Sequence, residues 1–177
     1  MYKFLLLILL IPLLFACQDK QQLDDELLSA AQHGDLPRLD AILQQGGDAN
    51  ARDHCAITPL MRASMNGDVA MVRSLLESGA ELNLADKSGY SALMQAAGNN
   101  RLEVVTLLLE HGADINQAES DRGWTSLIWA AKRGHSEMVM LLLNKGADKS
   151  FRDTQQLDAL AWAKKEGHAE TAGLLEK

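Results

Sequence analysis

The chain has 177 residues, 47% of them hydrophobic and 23% charged, with a formal charge of −7 and a pI near 5.2. One domain's worth of residues is present, and the acidic balance excludes nucleic acid as a partner, because its recognition needs a basic surface. It equally excludes an electrostatic grip on anionic lipid. In chain order, the first sixteen residues stand apart from the rest. Lys3 supplies a charged start, and Phe4 to Phe15 is an uninterrupted apolar run containing Pro12. The run is short for a transmembrane helix and has the layout of a secretory signal.

Leu14-Phe15-Ala16-Cys17 closes that run and resembles the lipobox of bacterial lipoproteins. The resemblance implies removal of residues 1–16, with Cys17 becoming the first mature residue and carrying diacylglycerol on its sulfur. Gln18, where Asp would otherwise signal retention, implies the outer membrane, facing the periplasm. Several acyl chains on one cysteine make attachment stable, since a single chain binds only marginally. Residues 17–24 then form a short tether, and the seven from Gln18 to Asp24 reach at most about 25 Å. The removed segment holds one Lys and no acid, so the charge of −7 becomes −8. Cys55 is left alone, which excludes an intramolecular disulfide in a compartment that would permit one. It reads as a small turn residue, with a reactive thiol as the alternative.

From residue 25 to 177 the chain repeats itself. Thr58-Pro59-Leu60-Met61-Arg62-Ala63 recurs as Ser91-Ala92-Leu93-Met94-Gln95-Ala96, then Thr125-Ser126-Leu127-Ile128-Trp129-Ala130, then Asp158-Ala159-Leu160-Ala161-Trp162-Ala163. The spacing is 33 residues, with a single residue inserted in the second interval. Such a period means one small unit stacked several times, none able to bury its apolar face alone. Thr, Ser, Thr and Asp open each echo as helix caps, and Pro59 suits a first helical position. Counting back places a degenerate copy with its cap near Asp25. Gly34, Gly67, Asn100, Gly134 and Gly167 end these first helices as residues that accept a left-handed conformation. A second helix follows each, with Leu39, Val72, Val105, Val139 and Ala172 one turn before Ile42, Leu75, Leu108, Leu142 and Leu175, one inward-facing stripe. Gly46, Gly79, Gly112 and Gly146 stop it.

Leu107-Leu108-Leu109-Glu110-His111-Gly112-Ala113-Asp114 and Leu141-Leu142-Leu143-Asn144-Lys145-Gly146-Ala147-Asp148, together with the Thr-Pro-Leu helix, resemble the ankyrin-repeat family. The resemblance implies an all-α solenoid of about five helix-turn-helix units with short β-turn connections, at roughly 25–50, 51–83, 84–116, 117–150 and 151–177. The family histidine is replaced by Met61, Met94, Ile128 and Ala161, so its inter-repeat hydrogen bonds should be missing and apolar packing should substitute. Glu176 stands where earlier second helices carry Leu43, Leu76, Leu109 and Leu143, as suits a capping unit.

Chemistry is sparse in the sequence. His111, His135 and His168 occupy ordinary repeat positions, and His33 and His54 lie in turns. Asp53-His54-Cys55 has ligand-type residues but no second pair at metal-site spacing. No phosphate loop, nucleophile elbow or zincin helix appears, so the expectation is a non-enzyme with no catalytic residues, no metal and no cofactor.

What remains is surface. The family's concave face is built from turn tips and the outward side of each first helix. By register this implies Ile57, Tyr90, Trp124 and Leu157 before the caps, Arg62, Gln95, Trp129 and Trp162 on the helices, and Lys132, Arg133 and Lys165 with Glu166 further along. Aromatics and Arg dominate binding hot spots, and a modestly basic aromatic groove favours an acidic partner surface. Packing between adjacent turns is the competing role, most openly for Tyr90 and Trp124. Trp129 and Trp162 should lie on one groove wall roughly 10 Å apart, the separation of packed helices. Asp53, Asp86, Asp121 and Asp153 are placed at the turn tips. The reading is a monomeric, lipid-anchored module that binds another protein through this face. An inhibitor or immunity protein against a toxic or exported enzyme, and a structural envelope spacer, are the alternatives.

Overall fold

A computed structural model describes residues 20–177. The lipobox, Cys17 and the preceding apolar run lie outside the described residues. Among the described residues no helix is long and apolar enough to cross a membrane.

Among the described residues ten helices form five antiparallel pairs: α1 (20–33) with α2 (Leu36–Gln44), α3 (Pro59–Asn66) with α4 (Val69–Glu77), α5 (Ala92–Gly98) with α6 (Leu102–Glu110), α7 (Ser126–Lys132) with α8 (Ser136–Asn144), and α9 (Ala159–Lys165) with α10 (Ala169–Leu175). First helices pack on first helices, α3 to α5 to α7 to α9, and second helices on second helices, α2 through α10. The result is a two-layer solenoid whose core runs the length of the stack. Every residue of the predicted stripe is buried, from Leu39 and Ile42 to Ala172 and Leu175. Between the pairs, the connections make only isolated bridges, Ala85 to Ser91 and Ala118 to Thr125.

Local chemistry explains the element boundaries. Thr58, Ser91, Thr125 and Asp158 each accept the backbone N–H three residues on through the side-chain oxygen, satisfying a donor the helix cannot. Asn100 takes φ +56°, matching the positive φ of Gly67 and Gly134 at the equivalent turns. Asp25 behaves differently from the expected cap. The first helix already covers residues 20–24, and Asp25 accepts from Gln21 Nε2 at 3.1 Å, one turn back. Residues 20–24 contain no Gly or Pro to stop a helix, so α1 is longer than its repeat counterparts. The preceding Asp24 instead accepts the amide of Asp48 at 2.9 Å and ties α1 to the following loop.

Neighbouring units are held by more than apolar contact. Met61, Met94 and Ile128 are buried at the family's histidine position, as the sequence implies, but polar ties have moved elsewhere. Asn50, Asn83 and Asn116 accept the amides of Glu81, Asp114 and Asp148 in the next unit at 2.8, 2.9 and 2.9 Å. At the start of second helices, Arg101 Nε, His135 Nε2 and His168 Nε2 donate to the carbonyls of Met65, Gly98 and Lys132 at 3.1, 3.2 and 3.0 Å. Those carbonyls end the preceding first helices and lack intrahelical partners. Arg101, His135 and His168 thus give up the capping bond that Asp35 and Asp68 make within their own helices and bridge units instead.

Candidate partner-binding face

Each turn that feeds a first helix is built around one carboxylate. Asp53 Oδ1 accepts the amides of Cys55 and Ile57, Asp86 Oδ1 those of Ser88 and Tyr90, and Asp153 Oδ1 those of Gln155 and Leu157. In the fourth unit the equivalent residue is Glu119, not Asp121. Its two oxygens accept the amides of Asp121, Arg122 and Trp124 at 2.7, 2.7 and 3.2 Å. The inserted residue falls inside this turn, and one extra methylene lets a carboxylate span it. Successive tips are joined by backbone bonds, Lys87 to Cys55, Ser120 to Ser88 and Thr154 to Arg122. At Gly89 the tips approach so closely that a Cβ would lie 2.4 Å from the Ser120 nitrogen. The residue before each cap is therefore fixed in place by its own amide.

That rigidity organises the aromatics into one continuous row. Tyr90 meets Trp129 edge to face at 5.7 Å, Trp129 meets Trp124 at 5.1 Å, and Trp124 meets Trp162 at 5.3 Å. Trp129 and Trp162 flank Trp124 instead of standing side by side, because the pre-cap residue of one turn reaches between the two helices. Asp153 Oδ2 accepts both Trp124 Nε1 at 3.0 Å and Trp162 Nε1 at 2.7 Å. Burial pushes the Asp153 carboxyl up, but the donors from Leu157, Trp162, Trp124 and Gln155 outweigh it and hold it below its ordinary value. Trp124 and Trp162 are buried, at 5% and 4% exposure. They form the floor of the face. Trp129 is half-buried, its ring over Gly98, where a Cβ would sit 3.6 Å from Trp129 Cε3.

Cations gather over this row. Arg122 lies 4.7 Å from the Trp124 ring, Arg133 4.9 Å from Trp129, and Lys165 4.3 Å from Trp162. Lys132 lies 4.9 Å from Trp162 and pairs with Glu166 at 2.5 Å, which holds the Glu166 carboxyl below its usual range. Trp129 and Arg133 form the wall between two clefts. Tyr90, Met94, Gln95, Gly98 and Asn99 line one; Arg122, Trp124, Lys132, Gln155 and Trp162 line the other.

The structure brings together Tyr90, Gln95, Trp124, Trp129, Lys132, Arg133, Trp162 and Lys165. It does not bring Arg62 or Ile57 into the group. Arg62 pairs with Asp53 at 2.6 Å in its own unit, and Ile57 packs against the core. Arg122 is a member that register alone misses, since it stands in the lengthened turn; the insertion was its only signal. Asp53, His54 and Cys55 do lie close together. Both Asp53 oxygens are already engaged, by the Cys55 and Ile57 amides and by Arg62.

A solenoid of paired helices with capped turns, presenting an aromatic and cationic strip on the turn and first-helix face, is a scaffold for holding other molecules by surface contact. A family model of ankyrin repeats (3 copies) matches residues 27–119 and 117–177, and the chain belongs to the ankyrin-repeat family. Ankyrin repeats generally mediate protein–protein interaction. No curated protein matches the chain.

Proposed function

We propose that this protein is a lipid-anchored binding module of the bacterial envelope that holds a partner protein on the concave face of its last three repeats. The observation that carries the partner reading is the aromatic row: a half-buried tryptophan on a braced floor, rimmed by cations, has the composition of an interface hot spot. Repeats nearer the N-terminus offer no comparable cluster, so binding centres on α5, α7 and α9. The anchor reading rests on Leu14-Phe15-Ala16-Cys17 and its apolar run. With helix α1 already covering residue 20, the link from Cys17 to the stack is shorter than the seven residues from Gln18 to Asp24. The stack then stays close to the outer-membrane surface in the periplasm.

Cys17→Ser is expected to release the protein from the membrane fraction or block its processing, and a fatty-acid analogue should label the wild type only. An unlabelled, freely soluble wild type would show that Cys17 carries no lipid. Cross-linking in intact cells followed by mass spectrometry tests the partner reading.

A further inference from the structure

We propose that the groove around Trp129 takes an acidic segment of the partner protein, its carboxylates pairing with Arg122, Arg133 and Lys165. The proposal rests on the reading of this face as the partner-binding surface and names the chemistry that surface selects.

The charges of the groove run against those of the chain. The whole sequence carries −7, yet three cations converge on three adjacent indole rings, at 4.7, 4.9 and 4.3 Å from their centroids. Some surface cations elsewhere find carboxylates: Arg38 pairs with Glu26, Arg152 with Asp158, and Lys164 with Glu176. Among the described residues Arg122, Arg133 and Lys165 make no such pair. Of the acids nearest them, Asp121 is exposed beside Arg122, and the others are engaged elsewhere. Glu119 and Asp153 are buried, their oxygens taken by turn amides and indole N–H groups, and Glu166 is held by Lys132. Their engagement turns these carboxylate oxygens away from the open face without removing their charge, while ring faces hold the three cations in place. Trp129 Nε1, buried with no acceptor, adds a neutral donor to the same wall.

An extended polyanion does not fit this distribution. Residues 20–100 carry six Lys and Arg against eleven Asp and Glu, a net charge of −5, so a nucleic-acid strand leaving the groove towards the N-terminal units meets repulsion. Residues 101–177 carry ten Lys and Arg against twelve Asp and Glu, a net charge of −2, so a short acidic peptide segment is favoured where it lies directly over Arg122, Arg133 and Lys165. Aromatic or aliphatic side chains between its acids would fill the cleft beside Tyr90 and Gly98.

The test uses the full-length chain. A photo-cross-linking residue at Gln155, which is exposed beside the groove, is activated in intact cells, and the captured peptide is sequenced by mass spectrometry. An acidic captured segment is expected, with capture lost in the pair Arg133→Gln and Lys165→Gln and restored by Arg133→Lys with Lys165→Arg. In parallel, a short peptide alternating Glu and Phe is titrated against the purified chain by tryptophan fluorescence, beside its Gln–Phe counterpart and a short single-stranded oligonucleotide. The Glu peptide should bind at least about tenfold more tightly than either and weaken with salt. A captured segment that is neutral or basic, or capture unchanged by the Gln substitutions, overturns this inference and leaves the partner-binding reading standing. Preference for the oligonucleotide also overturns it. No capture from Gln155 and none from Asn99 across the other cleft overturns both.

Discussion

Both oxygens of Asp153 are committed, one to two turn amides and the other to two indole N–H groups. Asp153→Asn replaces an acceptor with an amide donor facing two indole donors. Unsatisfied buried groups cost about 1–3 kcal/mol each, so a loss of roughly 2–5 kcal/mol in urea unfolding is expected, with a changed near-UV signal from the tryptophans; unaltered unfolding would contradict the bridging role. Because this carboxyl is held below its ordinary value, its stabilisation is complete above about pH 4 and is lost as pH falls through its folded pKa. Trp162 and Trp129 should separate in the same assay. Trp162→Ala empties a buried site and should cost about 3–5 kcal/mol, whereas half-buried Trp129→Ala should cost about 1–2 kcal/mol. Equal costs would mean that Trp129 is as much a core residue as Trp162. Register placed both on one face, because a repeat specifies direction; depth depends on what the neighbouring turn sends between them, here Trp124.

At the scale of elements, the helices were legible because each boundary has a local chemical cause. Thr58, Ser91, Thr125 and Asp158 cap as their side chains dictate, and Asn100 accepts its positive φ. That α1 already covers residues 20–24 was not legible from the 33-residue repeat, since the repeat predicts where a unit recurs and says nothing of a helix extended backwards into polar sequence. Nor were the ties made by Arg101, His135 and His168, because their partners lie 36 or 37 residues away in another unit. Burial along α6 and α10 gives a quantitative check. Leu108 is fully buried with units on both sides, so Leu108→Ala should cost about 2–5 kcal/mol. Leu175 has packed helices on one side only within the described stack, can fray, and should cost clearly less. Equal losses by chemical denaturation would contradict a stack whose core is continuous through α6 and thinner at α10.

For the whole molecule, stability and binding draw on different parts of one face. Turn carboxylates and the buried tryptophans brace it, and Trp129 with Arg133 presents it, so presentation can be removed while the brace stays. Truncating a central aromatic at an interface costs ~2–4 kcal/mol of binding, a weakening of about thirtyfold or more. The most direct measurement is recovery of the cross-linked partner from intact cells carrying Trp129→Ala with Arg133→Ala, read beside the thermal unfolding of the same purified variant. The expected result is that the partner is lost while the variant still unfolds cooperatively, with most of the wild-type stability. Partner recovery at the wild-type level would contradict it and leave the aromatic row a feature of folding alone.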